Sequence, residues 1–196
     1  MFIEFKFSRG FGYFMEKFSQ FSKEITDLFK NHGGDLYGGE DITQITHGLQ
    51  CAQIAENDGA PAHLIISALL HDIGHLLHDE FEEAQNRGDD RFHENLGSKY
   101  LSKWFGPEVT EPIRLHVASK RYLCASDPNY HDTLSDASKH TLRIQGGPMN
   151  PSEVKEFEAN PSYKDAIQVR YWDDLGKDPL MKTGSLSRFL TYADKI

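Results

Sequence analysis

Apolar residues along this chain recur at helical spacing, and no alternating run of β-branched residues is long enough to make a strand. The pattern predicts a first helix over Phe14 to Lys30. The stretch His32-Gly33-Gly34-Asp35-Leu36-Tyr37-Gly38-Gly39-Glu40 then breaks it and reads as a glycine-rich loop. Asp41 has the character of an N-cap, with Gln44 three residues on to complete a capping box. Ile42, Ile45, Leu49 and Ala52 give the helix it opens an apolar face as far as Asn57. Gly59 ends that helix, and Pro61 suits an early position of the next. Leu64 to Gly74 is apolar nearly all round until His71 and Asp72, which marks a buried central helix. Further helices are expected at Phe92 to Phe105, Pro107 to Cys124 and Leu134 to Ile144, with Pro112 bending or restarting the second. Gly146-Gly147-Pro148 makes a turn, Asn150 with Pro151 and Glu153 signals another helix start, and Ser162 opens a helix to Leu175. No repeat or low-complexity linker divides the chain, so the expectation is one all-α domain. Before Met15 no periodicity is clear; Met15 reads as the natural start, the domain as 15–196, and residues 1–14 as an N-terminal extension.

Composition narrows the function classes. With 196 residues, 38% hydrophobic and 12% aromatic, the chain is long and apolar enough to bury a continuous core. Its longest apolar stretch, Leu64 to Leu70, is too short to cross a bilayer. The aromatic N-terminus is interrupted by Glu4, Lys6 and Arg9, unlike a secretory signal. A net charge of −9 disfavours extended nucleic-acid or anionic-membrane surfaces, though a small anion needs only a local cluster of donors. Cys51 and Cys124 cannot make a disulfide framework or a cysteine-rich zinc site, and both read as reduced packing residues of a cytoplasmic protein. Ten histidines against two cysteines direct any metal chemistry to imidazole and carboxylate ligands.

The densest chemical signal is Leu69-Leu70-His71-Asp72-Ile73-Gly74-His75. An aspartate at the end of an apolar helix is costly to bury unless its charge is compensated, and a metal ion beside a neutral imidazole does so. His75 follows His71 by four residues and shares its face while the helix persists. Taken alone, the doublet fits a capped helix end with a hydrogen-bonded histidine equally well. His47, His93, His116 and Asp173 recur on other predicted helices, however, each among apolar or aromatic neighbours. Such groups on separate helices suggest convergence on one cavity.

The order H…HD…H…H…D, supplied by His47, His71 with Asp72, His93, His116 and Asp173, resembles the HD-domain superfamily. The two histidines between the doublet and the last aspartate resemble its two-metal branches. That resemblance implies a single compact helical bundle with a buried dinuclear site. His47, His71, Asp72 and Asp173 would hold one ion, and Asp72, His93 and His116 the other, with Asp72 bridging. Tyr37-Gly38-Gly39-Glu40, His116-Val117-Ala118-Ser119-Lys120-Arg121-Tyr122-Leu123, Leu134-Ser135-Asp136-Ala137-Ser138 and Gln145-Gly146-Gly147-Pro148-Met149 are similar to one group in particular. These are the mixed-valence di-iron oxygenases of the PhnZ type, which cleave organophosphonates, and the similarity spans Leu36 to Gly176.

By that resemblance the cofactor is an Fe(II)/Fe(III) pair, and the reaction is O2-dependent cleavage of the C–P bond of a 1-hydroxyalkylphosphonate. The favoured substrate is (R)-2-amino-1-hydroxyethylphosphonate, giving glycine and phosphate, with its N-trimethyl analogue second. An upstream 2-oxoglutarate-dependent hydroxylase would supply the 1-hydroxyl. Tyr37 matches a displaceable iron ligand, Glu40 the acid that meets the substrate's cationic end, and His75, Lys120, Ser138 and Arg170 the groups around the phosphonate. On residue type alone these positions stay open. Tyr37 suits a surface or packing tyrosine, Glu40 an acid before a helix, Lys120 and Arg170 solvated charges, and Gly146-Gly147-Pro148 a plain turn. His32, His63, His78, His131 and His140 fall outside the pattern and read as surface residues. The alternatives are a metal-dependent phosphohydrolase of a nucleotide or small phosphomonoester and an inositol-oxygenase-like enzyme.

Overall fold

In the computed structural model, which describes residues 8–37, 40–77 and 93–196, the apolar segment at the centre of the sequence is also the centre of the molecule. It forms α3 (Ala62–Leu70), in which Leu64, Ile65, Ile66, Ala68, Leu69 and Leu70 are all buried. A helix apolar on every side must be covered on every side. Around it lie α1 (Ser8–His32), α2 (Gln44–Asn57), α5 (Pro107–Ser126), α9 (Tyr163–Leu175) and α10 (Leu186–Leu190), with a closing 3-10 turn at Thr191–Lys195. The remaining helices are α4 (His93–Leu101), α6 (Tyr130–Thr133), α7 (Asp136–Ile144) and α8 (Pro151–Ala159). Among the described residues there is no β-strand, only an isolated bridge between Leu36 and Thr43. The all-α expectation holds.

Two glycines set the spacing of the helices that carry the candidate ligands. A Cβ on Gly48, next to His47 on α2, would lie 2.7 Å from the Leu69 carbonyl of α3. A Cβ on Gly74 would lie 2.0 Å from the His93 carbonyl at the start of α4. Only a residue without a side chain permits either approach. Phe21, Ile25 and Phe29, at four-residue intervals on α1, join this core from outside.

Several boundaries differ from the sequence reading, each for a local reason. Helix α1 starts at Ser8, upstream of Phe14. Asp41 is not the cap of α2; Thr43 is, and its Oγ1 accepts from the Thr46 amide at 3.3 Å. The preceding loop folds back on itself through Tyr37 N to Ile42 O (2.9 Å) and the Leu36–Thr43 bridge, which keeps Asp41 and Ile42 out of the helix. The central helix stops at Leu70 instead of running to Gly74. Here the His71 imidazole takes the Ala68 carbonyl (2.9 Å), competing for an acceptor of the last turn, and Asp72 leaves helical geometry at φ −101°, ψ 12°. Ile73–Leu76 continues as a 3-10 turn.

Phe92 and His78 lie outside the described residues, and α4 ends at Leu101, where Trp104 and Phe105 turn back to pack edge-on against Phe21. Helix α5 runs through Pro112 without restarting. Helix α7 begins at Asp136, capped by Ser135, whose side chain accepts from the Ser138 amide. The capping box of Asn150 and Glu153 forms as expected, and Gly146 and Gly147 make their turn with φ of 100° and 71°. His131 and His140 are exposed, whereas His32 and His63 are half-buried.

Candidate metal centre

His47 lies one turn into α2, His71 and Asp72 follow α3, His93 opens α4, His116 sits mid-way along α5, and Asp173 is near the end of α9. The packing of those helices brings all of them to one buried place. Asp72 is at its middle. Its Oδ2 lies 3.3 Å from His71 Nε2 and 3.7 Å from His47 Nε2, and its Oδ1 lies 3.2 Å from His93 Nε2 and 3.4 Å from His116 Nε2. Asp173 Oδ1 completes the first group at 3.4 Å from His47 Nε2. Each of the two groups contains a pair of Nε2 atoms 3.2 Å apart, His47 with His71 and His93 with His116.

These contacts need positive charge. His47 Nδ1 donates to Gly176 O (2.8 Å), His71 Nδ1 to Ala68 O and His116 Nδ1 to Ile113 O (2.7 Å). A carbonyl only accepts, so each proton sits on Nδ1 and each neutral ring turns a bare Nε2 lone pair inward. Two lone pairs at 3.2 Å repel unless a cation lies between them. In the chain alone protons do this. Burial works against the proton on His71, but Asp72 and Asp173 hold it up to about 9; His93 is likewise raised by Asp72 against its burial. His116, the other member of its pair, is pushed down to about 4 by burial. One proton in each group thus occupies the place a metal ion would take, and the donor set of imidazoles and carboxylates fits two such ions. Cys51 Sγ, free and buried, stands 3.8 Å from the His47 ring, and Cys124 is also free.

A cavity of about 270 Å³ opens beside this cluster, and every other residue singled out from the sequence lines it: Tyr37, Glu40, His75, Lys120, Ser138 and Arg170. Tyr37 stacks on His47 with centroids 3.8 Å apart and donates its hydroxyl to Asp173 Oδ1 at 3.3 Å. Glu40 accepts from Ser135 Oγ at 2.6 Å. Because the helix ends at Leu70, His75 does not continue the face of His71; the 3-10 turn instead stacks it on His93 at 4.0 Å. Lys120, 3% exposed, donates to Thr141 Oγ1 at 2.8 Å, and burial with nearby Arg170 pushes its ammonium down to about 8.

Arg170 differs most from its expected character. It is buried, not solvated, and its guanidinium is clamped by Asp173 Oδ2 (2.6 Å) and by Asp174, leaving a 3.5 Å contact from Nη2 to Ser138. Tyr130, on α6, receives Nε at 3.1 Å and itself donates to Asp174.

The sequence reading missed two residues here. Lys177 lines the cavity with its side chain 11% exposed, donating to Ser138 Oγ at 3.1 Å, and lies 3.8 Å from Asp173 Oδ1. Its four-residue offset from Asp173 was the available signal. Thr141, three residues after Ser138, recurs on the same face of α7.

The HD-domain profile matches residues 44–178, a segment that contains His47, His71, Asp72, His93, His116 and Asp173 but not Tyr37. The [1-hydroxy-2-(trimethylamino)ethyl]phosphonate dioxygenase (glycine-betaine-forming) of Leisingera caerulea is 46% identical over 159 residues, covering 81% of each chain. The hydroxymethylphosphonate dioxygenase of Gimesia maris is 43% identical over 168 residues, covering 85% of this chain and 83% of its own. An uncharacterized protein of Acanthamoeba polyphaga mimivirus is 36% identical over 166 residues, covering 83% and 75%. With a matched domain that spans most of its length and two such relatives over four-fifths of it, this chain belongs to the HD-domain family, in the company of its phosphonate dioxygenases.

Proposed function

We propose that this protein is a metal-dependent dioxygenase that cleaves the C–P bond of a 1-hydroxyalkylphosphonate. The observation that carries this reading is the joining of two Nε2 pairs across Asp72 with a cavity that also presents two ammonium groups. His47, His71, Asp72 and Asp173 would hold one ion, with Tyr37 as a further ligand, and Asp72, His93 and His116 the other. An iron pair in mixed Fe(II)/Fe(III) valence would supply O2 activation and electron transfer when bound. In the chain alone, burial and the two aspartates keep the Tyr37 phenol protonated. A cation at Asp173 reverses that balance.

The protein's own residues do the positioning. Lys120 and Lys177, with the hydroxyls of Ser138 and Thr141, suit the oxygens of a phosphonate dianion, and His75 completes that end. Arg170 orients Asp173 and reaches the phosphonate side only through Nη2. Holding the anion on α7 fixes C1 and its hydroxyl against the metal-facing wall, which converts binding into orientation.

Glu40, held by Ser135 at the start of α7, suits a positively charged substituent. Among the described lining residues Tyr37 is the one aromatic ring besides the histidines, and one of its faces lies on His47. A primary ammonium needs acceptors, whereas a trimethylammonium group favours several aromatic faces. This supports (R)-2-amino-1-hydroxyethylphosphonate, giving glycine and phosphate, ahead of the N-trimethyl compound named for the Leisingera relative. A 2-oxoglutarate-dependent hydroxylase in the same cytoplasm would supply the 1-hydroxyl; no described helix is long and apolar enough to cross a membrane.

The test is phosphate release from the metal-loaded protein, with and without O2, on the primary-amine, trimethylammonio and hydroxymethyl substrates. Release that requires O2 and is fastest by kcat/KM on the primary amine is expected. Glu40→Gln should raise KM for the two cationic substrates about tenfold and leave hydroxymethylphosphonate within twofold, the loss of one charge-assisted contact. Release from these phosphonates that persists without O2 would mean hydrolytic C–P cleavage and overturn the dioxygenase reading, whereas release from a phosphomonoester alone would favour a phosphohydrolase.

A further inference from the structure

Three of the clustered imidazoles give their Nδ1 proton to a main-chain carbonyl, but among the described residues His93 has no such partner. The group beside its Nδ1 is the carboxylate of Glu94, with Oε2 at 3.5 Å. Glu94 is 6% exposed, and among the described residues Oε2 meets no donor in hydrogen-bonding geometry. A carboxylate in that position is costly unless a donor or a positive charge compensates it. Beyond His93 itself, its surroundings offer Lys120 and Arg114 only as more distant charges. An acid in the first turn of α4 is ordinary, but the reaction proposed above does not use it and does not account for its burial against His93.

We propose that Glu94 is the outer partner of His93. From 3.5 Å a small rotation lets its carboxylate accept the Nδ1 proton, which fixes the tautomer that turns Nε2 towards Asp72 and strengthens that imidazole as a donor. The two metal positions then have one carboxylate each besides the shared Asp72. Asp173 serves the first directly and is offset by Arg170. Glu94 serves the second from behind its histidine, with no lysine or arginine paired to it among the described residues. Glu94 thus sets how firmly the second ion is held and leaves the first alone.

The inference rests on His93 being a metal ligand, and the experiment separates the two. The protein as purified, with its metals, is titrated with EDTA, and the ions retained per chain are counted for the wild type, Glu94→Gln, Glu94→Leu and His93→Ala. In Glu94→Leu one of two ions should leave at an EDTA concentration about 10–100-fold lower than in the wild type, while the other follows the wild-type curve. Glu94→Gln, similar in shape and uncharged, should fall between, and it keeps the test open should the leucine variant not fold. Retention of both ions at wild-type resistance, or joint loss of both, in the glutamine variant overturns the role of Glu94. If His93→Ala keeps both ions, the ligand reading fails instead.

Discussion

On one side of the cavity, four imidazoles point their Nε2 atoms at one another and at two carboxylates; on the other, Ser135, Ser138 and Thr141 pair with Glu40, Lys177 and Lys120. The first wall consists of acceptors aimed at acceptors, held there by anchors behind them, and only added positive charge reconciles it. The second consists of donors matched to acceptors, and its groups satisfy each other without a ligand. One wall has a strong demand for cations. The other exchanges one set of hydrogen bonds for another when an anion enters, which keeps it intact between turnovers and makes its contribution to binding moderate.

The largest effect expected from this contrast comes from Asp72, because both groups of donors use it. Asp72→Ala should fall from two ions per chain to near none by elemental analysis, and phosphate release should drop about 10³-fold or more, the scale of losing metal stabilisation of the transition state. A variant that keeps either ion would break the picture of one carboxylate shared by both positions.

A smaller effect is expected on the facing wall. Lys120→Met and Lys177→Met should each lower kcat/KM about 10–100-fold, the scale of one charge-assisted hydrogen bond, with metal content unchanged. The two lysines are then distinguished by pH. In the free protein, burial and Arg170 place the Lys120 proton loss at about 8. The ammonium is the form that binds a dianion, so kcat/KM should fall as pH rises through about 8. That limb should be absent from Lys120→Met and kept in Lys177→Met. If either lysine variant loses metal, the two walls are not independent.

The smallest effect concerns the helix end below His47. Thr43→Ala removes the α2 cap, which costs about 1 kcal/mol and lowers Tm by about 2–4 °C in a thermal melt. Two ions per chain and an unchanged KM are expected, since His47 is held by Gly176 and not by its own first turn.

The metal-facing wall was legible from residue type and order, because histidines and aspartates among apolar neighbours are costly there without a purpose. Fold class followed from the same periodicity. The α7 wall was harder to read. Lys177 and Thr141 belong to types that usually face water, and their roles depend on α7 lying against α5 and against the segment after α9, contacts no local pattern announces. The resemblance to known oxygenases drew attention to Lys120, Ser138 and Arg170, but it did not reveal that Asp173 and Asp174 already occupy the guanidinium. Helix ends were misread where a side chain or a loop claimed a backbone group first. His71 took the Ala68 carbonyl, and the turn from Tyr37 to Ile42 displaced Asp41 in favour of Thr43. Glu94 follows a histidine at a helix start, where an acid is ordinary.

The anchor of His47 determines how little of this chain could be excised and still work. His71 and His116 lean on carbonyls three residues earlier, so any fragment that carries either helix carries its restraint as well. His47 leans on Gly176, 129 residues further along the chain and just past α9. A fragment that stopped at Asp173 would contain every candidate ligand and still leave one imidazole free to swing. The smallest unit that holds all its imidazoles in place therefore extends beyond the last ligand, at least to the glycine that ends the helix bearing it.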